Sequence, residues 1–205
     1  MYVSERLTMP SVTLHYFNFT GRGELIRLVL AAANQKYEDH RFKEGEWATF
    51  KEQTPFGQCP AVTIDGKMYG QTFAICTYFA REAGLYGKSN LDGLGIDQWV
   101  QLVGDIFMAG VKAHFEKDEA KKAELNKELL EVSSPKYMGY FEKALGESKS
   151  GYLVGDALSL ADIAVYELVT GMMGEKLCKT DDFPKIKALC DKVAANPGIK
   201  AYKSK

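Results

Sequence analysis

The 205-residue sequence contains no apolar run of roughly 18 or more residues, so no membrane-spanning helix is expected. Its opening stretch, MYVSERLTMP, has no apolar core, so no secretory leader is expected either. A C-x-x-C pair is also missing. Cys59, Cys76, Cys178 and Cys190 lie far apart, which argues against a dithiol redox centre and against zinc. Reduced thiols and a cytoplasmic location are the expectation. Histidine is scarce: His15, His40 and His114 show no ligand spacing, and each is expected to be structural. Charge of one sign is not in excess. The 26 Lys and Arg against 27 Asp and Glu leave a net charge of −1. Neither nucleic acid nor an anionic membrane is therefore expected as a partner. There is no internal repeat and no low-complexity tract. What remains is a chain 46% hydrophobic and 26% charged, ordinary for a globular protein. It is long enough for one large domain or two small ones with a sizeable core.

The first 85 residues mix two periods. SVTLHYF (11–17) alternates as a strand, and GELIRLVLAAANQ (23–35) has helical apolar spacing with Asn34 as a stop. YEDHRF (37–42) reads as a second strand and EWATFKEQ (46–53) as a short helical turn ended by Thr54-Pro55. Ala61–Ile64, Asp65-Gly66 and Lys67–Tyr69 form a hairpin pattern, and TFAICTYFARE (72–82) a third helix. The order β-α-β-α-β-β-α implies parallel strands first and antiparallel ones at the close. After GLYGKSN (84–90) the pattern turns helical, with candidates at 93–116, 119–145, 160–173 and 185–195. Only a brief GYLVG (151–155) reads as strand. In ALSLADIAVYEL, Ser159 is a candidate N-cap with Asp162 at N3, a capping box worth roughly 1 kcal/mol, with Leu158 and Ile163 as its staple.

FGQCPAVTIDG (56–66) is the least conventional stretch. Pro60 heads a strand, where it removes a donor that the sheet could use. The residues alone leave two readings: an edge strand entered through a trans proline, or a cis Cys59-Pro60 bond that turns the Cys59 backbone outward.

The order of these elements, with a proline before the third strand, resembles the cytosolic glutathione transferases. LHYFNFTGRGELIRL (14–28), EWATFK (46–51), PFGQCPAVTIDG (55–66), GQTFAICTYFAR (70–81) and LSLADIAVYEL (158–168) follow that family's order and spacing, over nearly the whole chain from Met9. The Tyr16 position, the EDHRF strand and the PFGQ-x-P turn look most like the sigma class, which includes glutathione-dependent prostaglandin D synthases. Such chains usually begin at the equivalent of Met9-Pro10, so the first eight residues are expected to be an extension. The resemblance implies an α/β thioredoxin-like N-terminal domain (9–85) that binds glutathione. It also implies an all-α C-terminal domain (91–205) that supplies the electrophile pocket and dimer contacts. It selects the cis form for Pro60.

The resemblance also implies roles. Tyr16 stabilises the glutathione thiolate, and Arg22 adds positive potential behind it. Trp47 and Lys51 receive the glycyl carboxylate, and Gln71 and Thr72 the γ-glutamyl end. The Cys59 backbone, before Pro60, pairs with the cysteinyl unit, and Gln58 touches the peptide. Asp105 reaches across a homodimer to the γ-glutamyl amine of the other subunit. Phe17, Phe107, Met108, Val111 and Lys112 line the electrophile pocket. Vertebrate prostaglandin synthases carry metal-binding aspartates around the Asp105 position, where Gln101 and Gly104 stand here, and a tryptophan where this chain has Lys112. Those departures weaken prostaglandin synthesis as the activity, and no metal is expected.

Three functions follow. One is a transferase joining glutathione to apolar electrophiles, with peroxide reduction or isomerisation as side activity. Another is a glutathione-binding carrier of hydrophobic ligands such as haem. The third is a structural relative like the cephalopod lens crystallins. The intact set Tyr16, Arg22, Trp47, Lys51, Gln71 and Thr72 favours the first.

Overall fold

The computed structural model describes residues 10–172, 174–177 and 180–204. The expected N-terminal extension and Cys178 lie outside the described residues. Four strands form one sheet in the order β2-β1-β3-β4. They are β1 (Val12–Phe17), β2 (Glu38–Phe42), β3 (Ala61–Ile64) and β4 (Lys67–Gly70). β1 runs parallel to β2 and antiparallel to β3, and β3 to β4. Between them lie α1 (Gly21–Ala32) and α2 (Glu46–Phe50), the latter continued by a 3-10 turn at Lys51–Gln53. α3 (Thr72–Glu82) closes this thioredoxin-like half. Asn34 takes a left-handed φ of 51° just beyond α1, as its reading as a stop requires.

The second half is helical: α4 (Asn90–Phe115), α5 (Glu119–Glu128), α6 (Ser134–Glu147), α7 (Leu160–Thr170), α8 (Gly174–Leu177), α9 (Pro184–Ala194) and α10 (Pro197–Lys203). Every residue of α7 from Leu160 to Val169 is buried, as befits a helix wrapped by others. Its start is the expected capping box. The Asp162 carboxylate accepts the Ser159 N–H and the Ser159 hydroxyl, both at 2.8 Å.

Two expectations need correction. The single helix expected over 119–145 is interrupted by a π turn at Leu129–Ser133. Pro135 at the head of α6 has no N–H to give back to the preceding turn, and the chain widens there instead. GYLVG is not a strand. Its amides are taken by side chains: Gly151 N–H by Ser148 Oγ (3.1 Å), Tyr152 N–H by Ser150 Oγ (3.2 Å) and Leu153 N–H by Asp162 Oδ1 (2.8 Å). α10 was not expected. Asn196 caps it through the Gly198 and Ile199 N–H groups, with Pro197 in its first turn.

A buried ionic cluster joins the two halves at α1. The Arg27 side chain is wholly buried. Its Nε and Nη2 reach the Asp39 carboxylate at 3.1–3.3 Å, and Nη1 and Nη2 donate to the Phe19 and Phe17 carbonyls at 2.9 and 3.3 Å. Glu24, one turn earlier, accepts from Tyr202 (2.9 Å) and Lys203 (2.8 Å) of α10. Glu167 of α7 is buried close by. Burial first, and then the Glu24 charge, push its carboxyl up to about 7, against the pull of Lys203.

Because that pKa is raised above the ordinary 4.5, Glu167 destabilises the fold as pH rises from 4.5 towards 7, and the penalty is complete above that. A shift of this size corresponds to about 3 kcal/mol. Glu167→Gln should therefore gain about 1–3 kcal/mol at about pH 8 and almost nothing at about pH 4. Urea unfolding at both pH values measures it, and equal effects at the two would show that Glu167 is not the titrating group.

Candidate functional site

β1 alternates, so Val12, Leu14 and Tyr16 face α1 and the core while His15 and Phe17 face the other way. Tyr16 is thereby carried to the strand's end with only 5% of its surface exposed. Its hydroxyl accepts the Arg22 N–H at 3.1 Å. That N–H belongs to the first turn of α1, which has no partner within the helix and no side-chain cap from Thr20. The phenol spends a lone pair on this contact and keeps its own hydrogen to donate. Burial, the largest effect, raises its pKa, so the donor form persists. The helix approaches so closely that only glycine fits beside the ring. A Cβ at Gly23 would lie 2.4 Å from Tyr16 Cδ1, and one at Gly21 would lie 2.6 Å from the hydroxyl.

Two cavities meet beside this tyrosine. The first, about 400 Å³, is lined by Arg22, Gln58, Cys59, Pro60, Gln71 and Thr72 and, from α4 and α7, by Gln101, Gly104, Met108 and Glu167. The second, about 730 Å³, is walled by Tyr16, Phe17, Phe19, Phe107, Val111 and Leu130, with His114 and Asn126 among its polar groups. Gly21, Arg22, Cys59 and Phe107 line both. The Arg22 guanidinium bridges towards α4, donating to Met108 Sδ at 2.6 Å and lying 5.9 Å from the Phe107 ring centre.

The Cys59-Pro60 bond is cis. Cys59 is half-buried, and burial pushes its thiol up to about 11 despite the opposing charge of Arg22. Gln71, the residue before α3, has φ 72°, a left-handed conformation that a side chain adopts at a cost of roughly 1 kcal/mol or more. It supplies no side-chain cap, so the first N–H groups of α3, which begins at Thr72, are left for another acceptor. Gln71 Nε2 lies 3.5 Å from Gln58 Oε1.

The other expected residues divide. Trp47 and Lys51 line neither cavity. Trp47 packs on Phe42 and Phe17, at 5.2 and 5.8 Å between ring centres. Lys51 lies along the Gly57 loop, with its Cε 3.4 Å from where a Gly57 Cβ would be. Asp105 is exposed on α4 outside both cavities. Of the expected apolar wall, Phe17, Phe107 and Val111 line the larger cavity, Met108 the smaller one, and Lys112 neither. Lys112 is displaced because one residue turns about 100° round a helix, which points it away when Val111 faces in. His114 and Phe115 were missed. They stand three and four residues beyond Val111, on one face of α4, and that spacing was a readable signal.

Among the described residues no group of three or more His, Cys, Asp or Glu side chains is arranged to hold a metal ion. No described helix is long and apolar enough to cross a membrane.

Comparison with known proteins gives a consistent picture. The profile of the glutathione S-transferase N-terminal domain matches residues 12–81, and that of the C-terminal domain residues 104–205. S-crystallin SL11 of Nototodarus sloanii is 36% identical over 95% of this chain and 96% of its own length. Probable glutathione S-transferase 7 of Caenorhabditis elegans is 34% identical, with the same shares covered. The solved prostaglandin synthase D of Nilaparvata lugens is 36% identical and superposes with a TM-score of 0.89 over 96% of this chain and 98% of that one.

Gly23→Ala should force the Tyr16 ring out of its place. Overpacking of this kind costs about 1–3 kcal/mol. Denaturant unfolding measures it, and an unchanged midpoint would mean that the ring yields without cost.

Proposed function

This chain belongs to the glutathione S-transferase family, and from that membership we propose that it adds the thiolate of glutathione to apolar electrophiles, as a homodimer of the sigma class. One observation carries the proposal. The Tyr16 hydroxyl, already accepting from Arg22 and left with one hydrogen to give, belongs to the wall of the larger cavity beside Gly21, Arg22 and Cys59, which line both cavities. In this reading glutathione lies in the first cavity as an added strand against the Cys59 backbone. Its γ-glutamyl carboxylate meets Thr72 and the open first turn of α3, with Gln71 and Gln58 beside it. Its glycyl carboxylate extends past the cavity to Trp47 and Lys51. The electrophile occupies the second cavity, and the sulfur sits at the seam.

Magnitudes decide how much Tyr16 must do. A free thiol has a pKa of about 8.5. Making it mostly thiolate at neutral pH requires a fall of about 2 units, or about 2.7 kcal/mol. One hydrogen bond to a charged acceptor supplies about 1.5–3 kcal/mol. A single phenol therefore provides most of the effect, and the Arg22 charge adds to it. The raised Tyr16 pKa serves this role, because the phenol stays a donor while the thiol ionises. Cys59, with its thiol pushed up to about 11, stays neutral and does not compete for the same donors.

Peroxide reduction and isomerisation use the same thiolate and remain part of this proposal as side activities. Carriage of an apolar ligand, haem among the candidates, is the second reading, and the 730 Å³ cavity favours it. Turnover of a chloronitrobenzene with glutathione, measured beside retention on immobilised glutathione, separates the two. Retention without turnover would leave the carrier.

Tyr16→Phe should keep glutathione bound while the thiolate absorbance of the complex titrates at least about one unit higher in pH. Lys51→Ala should weaken binding and leave that titration in place, since the glycyl end is remote from sulfur. If both variants shift the titration equally, this division of roles is wrong.

Asp105 is assigned to the partner's site, where it meets the γ-glutamyl amine. Asp105→Ala should then lower glutathione affinity roughly tenfold, the loss of one charge-assisted contact. A heterodimer of wild type with the Tyr16→Phe, Asp105→Ala double variant tests the crossing. If Asp105 acts in trans, neither site is intact. A site of wild-type affinity and activity in that heterodimer would refute it.

A further inference from the structure

α2, the short helix that bears Trp47 and leads into the turn of Lys51, is held on its apolar side by the part-buried rings of Trp47 and Phe50, which pack on Phe17 and Phe42. None of its five residues is fully buried, and its N-cap, Gly45, offers no side chain. Phe50 packs on His15 and His40, at 4.9 and 5.5 Å between ring centres. The polar anchor is a chain of contacts that crosses three strands. Thr63 Oγ1 of β3 lies 2.9 Å from His15 Nε2 of β1. His15 Nδ1 lies 2.9 Å from His40 Nδ1 of β2. His40 Nε2 lies 2.8 Å from Glu46 Oε1, at the first residue of α2. The other Glu46 oxygen accepts the Lys43 N–H at 2.8 Å, which fastens the entry to the helix.

The donors and acceptors along this chain are fixed by chemistry. A carboxylate only accepts, so His40 Nε2 carries a hydrogen. With His40 neutral, its Nδ1 is bare and His15 Nδ1 must donate. His15 Nε2 is then bare and accepts the Thr63 hydroxyl. One extra proton can enter without breaking the chain. His40 becomes doubly protonated and donates to His15 Nδ1, while His15 moves its hydrogen to Nε2 and donates to Thr63. A second extra proton places hydrogens on both Nδ1 atoms, and the central contact is lost.

We propose that the Thr63–His15–His40–Glu46 chain is the positioning device for α2, and so for the Trp47 and Lys51 side chains that receive the glycyl carboxylate of glutathione. The inference rests on the placement of glutathione given above. His15 and His40 are positioning residues and touch no substrate. The groups that face His15 are His40 and Glu38 from β2, Thr63 from β3 and Glu46 and Phe50 from α2, with Lys43 behind Glu46. Burial and His40 lower the His15 pKa, against Glu38 and Glu46, so the second extra proton is resisted until the solution is acid. A His with a lowered folded pKa contributes stability above its ordinary 6.5 that is lost as pH falls. The device therefore holds at neutral pH and lets go on the acid side.

S-methylglutathione separates this from catalysis, because it has no thiol to ionise. Wild-type protein should bind it less tightly below about pH 6. His15→Phe keeps a ring against Phe50 and removes the nitrogen that faces His40 Nδ1, so no pair of N–H groups can be set against each other and its binding should be flat over the same range. Glu46→Ala should weaken binding at neutral pH by about three- to tenfold, raising KM for glutathione and not for the electrophile. That split is one a general loss of structure would not produce. Glu46 is partly exposed, so this variant decides the matter should His15→Phe fail to fold. Wild-type affinity in Glu46→Ala, or an acid profile in His15→Phe that matches the wild type, overturns the proposal. No binding by the wild type would overturn the placement of glutathione and this inference with it.

Discussion

Arg27 stands among the largest side chains withdrawn completely from water, and the geometry around Tyr16 depends on it. A guanidinium cannot shed its proton, so it must be satisfied where it lies. Asp39, Glu24 and the carbonyls of Phe17 and Phe19 satisfy it. Those two carbonyls belong to the last residue of β1 and to the turn that follows it. The same cation lies 5.8 Å from the Tyr16 ring centre. The strand end, the turn and the start of α1 are thus fixed by one group. Glu24 and Asp39 have further donors of their own, Tyr202 and Lys203 for the first and Arg41 for the second, so the cluster is a network rather than one pair. The interaction matters less for net stability than for the single arrangement it permits.

From that anchor the site divides between two cavities. α1 presents a backbone N–H to the phenol and a guanidinium to the cavity seam, both from Arg22. The loop ending in Cys59-Pro60 and the start of α3 line the smaller cavity. α4 supplies both cavities from adjacent stripes: Gln101, Gly104 and Met108 for one, Phe107, Val111, His114 and Phe115 for the other. One helix read at two phases therefore contributes to the walls of both cavities.

Local periodicity made most of the first half legible. β3 and α3 begin and end where the pattern places them, because turn residues and apolar spacing agree there. Cys59-Pro60 was different. Its residues left cis and trans both open, and only the likeness to a family chose between them. The failures have physical causes. GYLVG has strand composition, but its amides found hydroxyls and a carboxylate rather than a neighbouring strand. The break between α5 and α6 turned on one missing N–H at Pro135. α10 is only seven residues long, too short for apolar periodicity to mark it, and its one local signal is Asn196-Pro197. The inward direction of His114 and Phe115 was available from helical spacing. That His15 and His40 would meet nitrogen to nitrogen was not, since it requires the register of two parallel strands, Thr13 opposite Glu38 and onward.

α10 lies so close to α1 that a Cβ on Gly198 would lie 1.9 Å from the Ala31 carbonyl oxygen. Its Tyr202 and Lys203 complete the coordination of Glu24 from 178 and 179 residues away in sequence. During synthesis, α1 and its sheet leave the ribosome long before these partners exist. Until then Glu24 must share Arg27 without its other donors, in a half-built protein whose apolar α1 face also awaits α7. Closing a loop of that length brings slow, non-local folding. The thioredoxin-like half is made first, but the ionic network at its α1 is complete only when the last residues of the helical half are in place.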